Sequence, residues 1–77
     1  MQLYLENLPL RVSEQDIYYL LSEFGSIISI KITRDSHGRS LCSAHVDIKE
    51  DVDGRRIITA LHNSNFKEHY LIVYEIK

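Results

Sequence analysis

Two periods of hydrophobic residues alternate along this chain. Gln2-Leu3-Tyr4-Leu5-Glu6 has the two-residue alternation of a strand, with Leu3 and Leu5 facing one way and Tyr4 the other. Asn7-Leu8-Pro9 ends it. From Ser13 the period lengthens, and Ile17, Leu20, Leu21 and Phe24 form one helical stripe. Ser13 and Asp16 have capping-box spacing, with Asp in place of the usual Glu or Gln, and Val12 and Ile17 occupy the positions of a hydrophobic staple. Gly25 closes the helix.

Ser26 to Thr33 returns to alternation and is rich in β-branched residues. Ile28, Ile30 and Ile32 are expected on the core face, with Ser29, Lys31 and Thr33 on the other. Asp35-Ser36-His37-Gly38 is a turn cluster. In a third strand, Arg39 to Ile48, Cys42, Ala44, Val46 and Ile48 are expected inward and Ser43, His45 and Asp47 outward. A second helix runs from about Asp51 to His62, with acids in its first turn and a core stripe of Gly54, Ile57, Ile58 and Leu61. Gly54 costs about 1 kcal/mol relative to alanine in a helix, which close approach of the helix to the sheet would offset. Asn63 to His69 reads as a polar loop with Phe66 tucked into the core. Tyr70 to Ile76 is the last strand, with Leu71 and Val73 inward and Ile72 and Tyr74 outward.

The order strand, helix, strand, strand, helix, strand specifies an α+β fold, the ferredoxin-like βαββαβ sandwich. Right-handed crossovers place the first and third strands at the centre of a four-stranded antiparallel sheet and the second and fourth at its edges. Both helices then cover one face and leave the other open. The chain ends one residue after the last strand, so no C-terminal helix is expected over that face.

Seventy-seven residues suffice for one domain, and 44% hydrophobic content suits a globular core. No apolar run approaches a membrane span, and no basic region followed by an apolar run starts the chain, so neither membrane insertion nor a signal peptide is expected. One cysteine excludes an internal disulfide and suits a reducing compartment. A cytoplasmic location is expected, or a nuclear one in a eukaryote. The net charge of −2 argues against gripping polyphosphate by bulk charge. The distribution is uneven, however. Lys31, Arg34 and Arg39 gather around the turn between the second and third strands, with Asp35 among them.

Over essentially its whole length the chain resembles an RNA recognition motif (RRM). Leu3-Tyr4-Leu5-Glu6-Asn7-Leu8 matches that family's hexamer motif, and Asn7-Leu8-Pro9, Val12 to Ile17, Phe24-Gly25 and Ala60-Leu61 follow its pattern. The octamer motif of the third strand is degenerate. Leu41-Cys42-Ser43-Ala44-His45-Val46-Asp47-Ile48 keeps Ala44 and Val46 but replaces the basic first residue by Leu41 and the outward aromatics by Ser43 and His45. The resemblance implies one RRM-like domain over residues 1–77 that binds single-stranded RNA, with single-stranded DNA as a second candidate ligand, through the open face. An unpaired base lying on an exposed ring is worth roughly 1–3 kcal/mol. Tyr4 is the principal platform, His45 and Tyr74 are lesser ones, and Ser43 occupies the missing one. Lys31, Arg34 and Arg39 are candidate phosphate contacts. Glu6 and Asp47 put acid on or near the same face, so affinity is expected to be micromolar or weaker.

The rival expectation is a protein-interaction or homodimer module on the same scaffold. Tyr18 and Tyr19 motivate it, since Tyr19 falls nearly opposite the buried stripe of its helix, Tyr18 falls at its flank, and tyrosine is enriched at interfaces. RRM relatives that bind peptides use an Arg-X-Phe loop before the last strand. Asn65-Phe66-Lys67-Glu68 lacks that pattern.

An enzyme is not expected. His45 and Asp47 share a face without a nucleophile or oxyanion donor. Acylphosphatase-type hydrolases need an arginine-rich phosphate loop after the first strand, and Asn7-Leu8-Pro9-Leu10-Arg11 has one arginine and no glycine. His37, His45, His62, His69 and Cys42 lack metal-ligand spacing, so no metal, cofactor or small-molecule substrate is expected.

Overall fold

A computed structural model describes residues 1–77. The main elements are β1 (Gln2–Glu6), α1 (Glu14–Leu21), β2 (Ile27–Arg34), β3 (Ser40–Ile48), α2 (Asp51–Leu61), a short hairpin of β4 (Asn65–Phe66) and β5 (His69–Tyr70), and β6 (Ile72–Ile76). The principal sheet has the order β2-β3-β1-β6 with every neighbour antiparallel, the ferredoxin-like arrangement expected from the pattern. Leu3, Leu5, Ile32, Ala44, Val46, Ile48 and Val73 from the sheet join Ile17 and Leu21 of α1 and Ile57 and Leu61 of α2 in one buried cluster. Both helices thus pack on the same face of the sheet.

Helix α1 starts as its sequence dictates. The Asp16 amide donates to Ser13 Oγ at 3.1 Å, and the Ser13 amide donates to Asp16 Oδ2 at 2.9 Å, closing the capping box. Val12 and Ile17 are both buried, as a staple requires. The α-helical geometry stops at Leu21, tightens into a 3-10 turn over Ser22–Phe24, and ends at Gly25 with φ of 83°. In α2, Gly54 faces the side chain of Met1, and a Cβ at that position would overlap the Met1 sulfur. The close approach is therefore to the flexible side chain of the residue leading into β1 and not to the sheet itself.

Two expectations of side-chain direction and one strand boundary are corrected. Ile28 is not a core residue but is 60% exposed, because the β2–β3 register shifts between Ile27 and Ser29. Ile27 takes the inward place and packs against the core. A β-bulge of this kind moves every preceding residue to the other face. Cys42 is only half-buried and stands at φ of 61°, beside a second register shift between Ile32 and Arg34. Ser43 and Ala44 still alternate, opposite Glu6 and Leu5 of β1, and Ser43 is buried on the outward face, where Tyr4 O–H bonds to it. The last strand is also divided. Tyr70 pairs with Asn65 in the small hairpin, and the ladder with β1 begins at Ile72. Lys67 and Glu68 turn that hairpin with φ of 50° and 70°, the doubly positive geometry that normally selects Asn and Gly. Phe66 packs against the core from this hairpin, as expected.

Three carboxylates are held below their ordinary range. The Ser13 amide and hydroxyl hold Asp16 there. Glu14 is lowered first by its own backbone amide, then by the Ile32 amide and the Arg34 guanidinium, against some desolvation. Asp35 is lowered first by the Arg39 amide, then by the His37 amide and the Arg39 side chain. Each group binds its proton more weakly in the folded chain than in the unfolded one. Its stabilisation is therefore complete only above about pH 5 and is lost as the pH falls through the carboxylate range. The urea midpoint should decline below about pH 5, and Asp16→Asn should remove part of the decline. A midpoint unchanged at about pH 3 would contradict this account.

Candidate nucleic-acid interface

The open face of the sheet is organised by the β1 register. Tyr4 stands directly opposite His45 on β3 and Tyr74 on β6. Its ring centroid lies 4.6 Å from His45, edge-on at 76°, and 5.7 Å from Tyr74, tilted at 56°. Such offset and edge arrangements suit the ring quadrupoles. They leave Tyr4 at the centre of a row of three rings across adjacent strands. All three side chains point away from the helices, because their strand neighbours Leu3, Leu5, Ala44, Val46 and Val73 are buried.

Ser43 has a role that the motif comparison alone does not suggest. Tyr4 O–H donates to Ser43 Oγ at 2.8 Å, with Ser43 only 7% exposed. A position that carries an aromatic in the family motif here anchors the remaining aromatic instead. A second hydroxyl bond crosses the sheet on the other side. Tyr74 O–H donates to Glu6 Oε1 at 2.9 Å. Ionising Tyr74 would place two negative charges together, and the Tyr74 hydroxyl pKa is pushed up by this hydrogen bond first, with desolvation and the charge of Glu6 adding to it.

The three basic candidates are not equivalent. Lys31 lies opposite His45 in the β2–β3 register and belongs to no ion pair. It borders a groove of about 680 Å³ with Gln2, Ser29, Thr33, His45 and Asp47. Arg34 instead donates to Glu14 Oε1 and to the Gly38 carbonyl, both at 3.2 Å. The same Glu14 carboxylate accepts from the Ile32 amide on the outer edge of β2. Arg39 donates through Nε to Asp35 Oδ2 at 3.1 Å. Charge counting along the chain sees the cluster but not these pairings.

Tyr18 and Tyr19 lie on α1, in the layer on the other side of the sheet. Both are exposed, with centroids 6.1 Å apart in an edge contact, and Gln15 Nε2 donates to Tyr19 Oη at 3.0 Å. No group of three or more His, Cys, Asp and Glu side chains is placed to hold a metal ion, and no helix is long and apolar enough to cross a membrane.

A family model described as the RNA recognition motif matches residues 3–72. The chain belongs to the RNA recognition motif family. Among curated relatives, this RRM is 50% identical over 38 residues to RNA-binding motif, single-stranded-interacting protein 1 of Bos taurus, an alignment covering 49% of this chain and 9% of that protein. It therefore corresponds to a small part of the relative's length. Among solved structures, the crystal structure of RNA Binding Protein PG1 matches with a TM-score of 0.94 and 35% identity, covering 99% of this chain and 93% of that one. A chain of the Sxl-lethal protein/RNA complex matches at 0.93 and 27%, covering 99% of the RRM and 46% of its counterpart.

Proposed function

We propose that this RRM binds single-stranded RNA weakly across its open sheet face. The observation that carries the reading is the Tyr4 ring, flanked by His45 and Tyr74 on the side of the sheet that the helices leave uncovered. A base stacks on Tyr4, whose hydroxyl is held by Ser43 so that the ring is already placed. His45 and Tyr74 extend the platform to either side. Lys31, free of carboxylate partners, takes the first phosphate. Arg34 and Arg39 reach phosphates only by sharing or releasing Glu14 and Asp35. That cost, together with the acids Glu6 and Asp47 and the serine in place of an aromatic, keeps the affinity low. Family membership and an RNA-bound structural relative support the ligand class.

Backbone resonances of labelled protein, titrated with random single-stranded RNA and DNA pools at low salt, test the reading. The amides of Tyr4, Lys31, His45 and Tyr74 should shift together, with a dissociation constant in the micromolar range or weaker. Log affinity should fall with log salt at a slope of about −0.7 for each phosphate neutralised. If those amides stay in place at low salt, the open face is not the binding surface.

A further inference from the structure

We infer that Glu6 selects guanine as the base that lies on Tyr4. The inference rests on the RNA-binding reading above and assigns that site its base preference.

Glu6 is two residues beyond Tyr4 on β1 and shares its face, one pleat repeat or roughly 6–7 Å along the strand. A base stacked on Tyr4 therefore presents an edge to the Glu6 carboxylate. Glu6 is half-buried as a residue, and its carboxylate has no cationic partner. Its only hydrogen bond comes from Tyr74 O–H, to Oε1. A carboxylate offers about four acceptor positions, so most of its capacity is unused. Its cross-strand neighbours do not fill it. Ile72, opposite on β6, has no polar side-chain atom, and Ser43, opposite on β3, is engaged with Tyr4. The Tyr74 bond fixes the orientation of the carboxylate before any ligand arrives, which lowers the entropy cost of binding.

Unpaired bases are read along their Watson–Crick edges. Guanine presents two adjacent donors there, N1–H and the N2 amino group, which match the two oxygens of one carboxylate in a charge-assisted pair. Adenine presents an amino group beside the N1 lone pair, and cytosine an amino group beside the N3 lone pair. Uracil presents one N–H between two carbonyl oxygens. Each of these three sets an acceptor against the carboxylate, so the same group that attracts guanine disfavours the others.

Four short RNAs, each with a single G, A, C or U between abasic nucleotides, provide the test by resonance titration. The native protein should bind the guanine RNA about tenfold more tightly than the other three, as one good bidentate contact allows. In Glu6→Gln the side chain has one acceptor and one donor, a pair that each of the four bases can complement on its Watson–Crick edge. The guanine preference should be lost. Tyr74→Phe keeps the ring but releases the carboxylate, and should lower the ratio of guanine affinity to the affinities for the other three bases. It also serves as the second variant should Glu6→Gln fail to fold. Native protein that binds all four RNAs equally, or a Glu6→Gln variant that keeps the native order, overturns the guanine assignment and leaves RNA binding intact. Native protein that binds none of the four overturns both.

Discussion

Tyr4→Ala is expected to weaken single-stranded RNA binding by about 5- to 150-fold, the equivalent of the roughly 1–3 kcal/mol that a base–aromatic stack contributes. The loss should be near the upper end, because Tyr4 is the central ring and the change also separates His45 from Tyr74. Folding should suffer much less. Tyr4 stands on the open face, and the variant gives up one hydrogen bond to Ser43 and partial burial, a cost of about 1–2 kcal/mol. Tyr4→Phe separates the two contributions. It keeps the ring and removes the bond to Ser43, so RNA binding should stay within about threefold of native. Anisotropy titrations at constant salt, paired with urea denaturation of each variant, give both quantities. Native-like binding by a folded Tyr4→Ala protein would mean that RNA does not stack there.

Which parts of this molecule can be read along the chain depends on how local their causes are. The α1 start is legible because Val12, Ser13, Asp16 and Ile17 interact within one turn, and those side-chain types at those spacings do little else. The face of Tyr4 is legible because β1 is regular. Ile28 is not, because a bulge inserts one residue and nothing in a run of β-branched residues marks where it falls. The turn at Lys67-Glu68 is hidden for a different reason. Its residues are poor choices for positive φ, and an Asn65 side-chain bond to the Glu68 amide helps hold a geometry that their own preferences oppose.

The site divides in the same way. Tyr4, His45 and Tyr74 are each found by alternation, but that they form one row needs the β1 register with two strands distant in sequence. The bonds from Tyr4 to Ser43 and from Tyr74 to Glu6 need that register as well. Parity alone places Glu6 beside Tyr4 as an unwelcome acid. Only the Tyr74 contact shows an oriented acceptor. Arg34 and Arg39 look available along the chain because Glu14, which holds Arg34, belongs to another element, and because Asp35 reads first as a turn former.

Leu5→Ala should have the largest effect on the fold, although Leu5 adjoins Tyr4 on the same strand. Leu5 is fully buried and lies opposite Ala44 and Val73, within the two ladders that join β1 to its neighbours. Truncating a buried leucine costs about 2–5 kcal/mol, through lost transfer energy and the cavity left behind. The opposing Ala44 is already the smallest side chain available, and strands on both sides fix the backbone, so the cavity has little means of closing. A core of this size supplies on the order of 3–5 kcal/mol of net stability, so the variant should be substantially unfolded at room temperature. Its circular dichroism should lose the native signal, and its amide resonances should collapse toward random-coil positions. RNA will not rescue it. A ligand at a hundred times its dissociation constant returns only about 2.7 kcal/mol, and a micromolar binder reaches that ratio only at high RNA concentration. Two adjacent substitutions thus separate the two faces of β1: Tyr4→Ala removes the ligand from a folded protein, whereas Leu5→Ala removes the fold that holds Tyr4. A Leu5→Ala variant with a native urea midpoint would mean that the inner face of β1 is not packed as described.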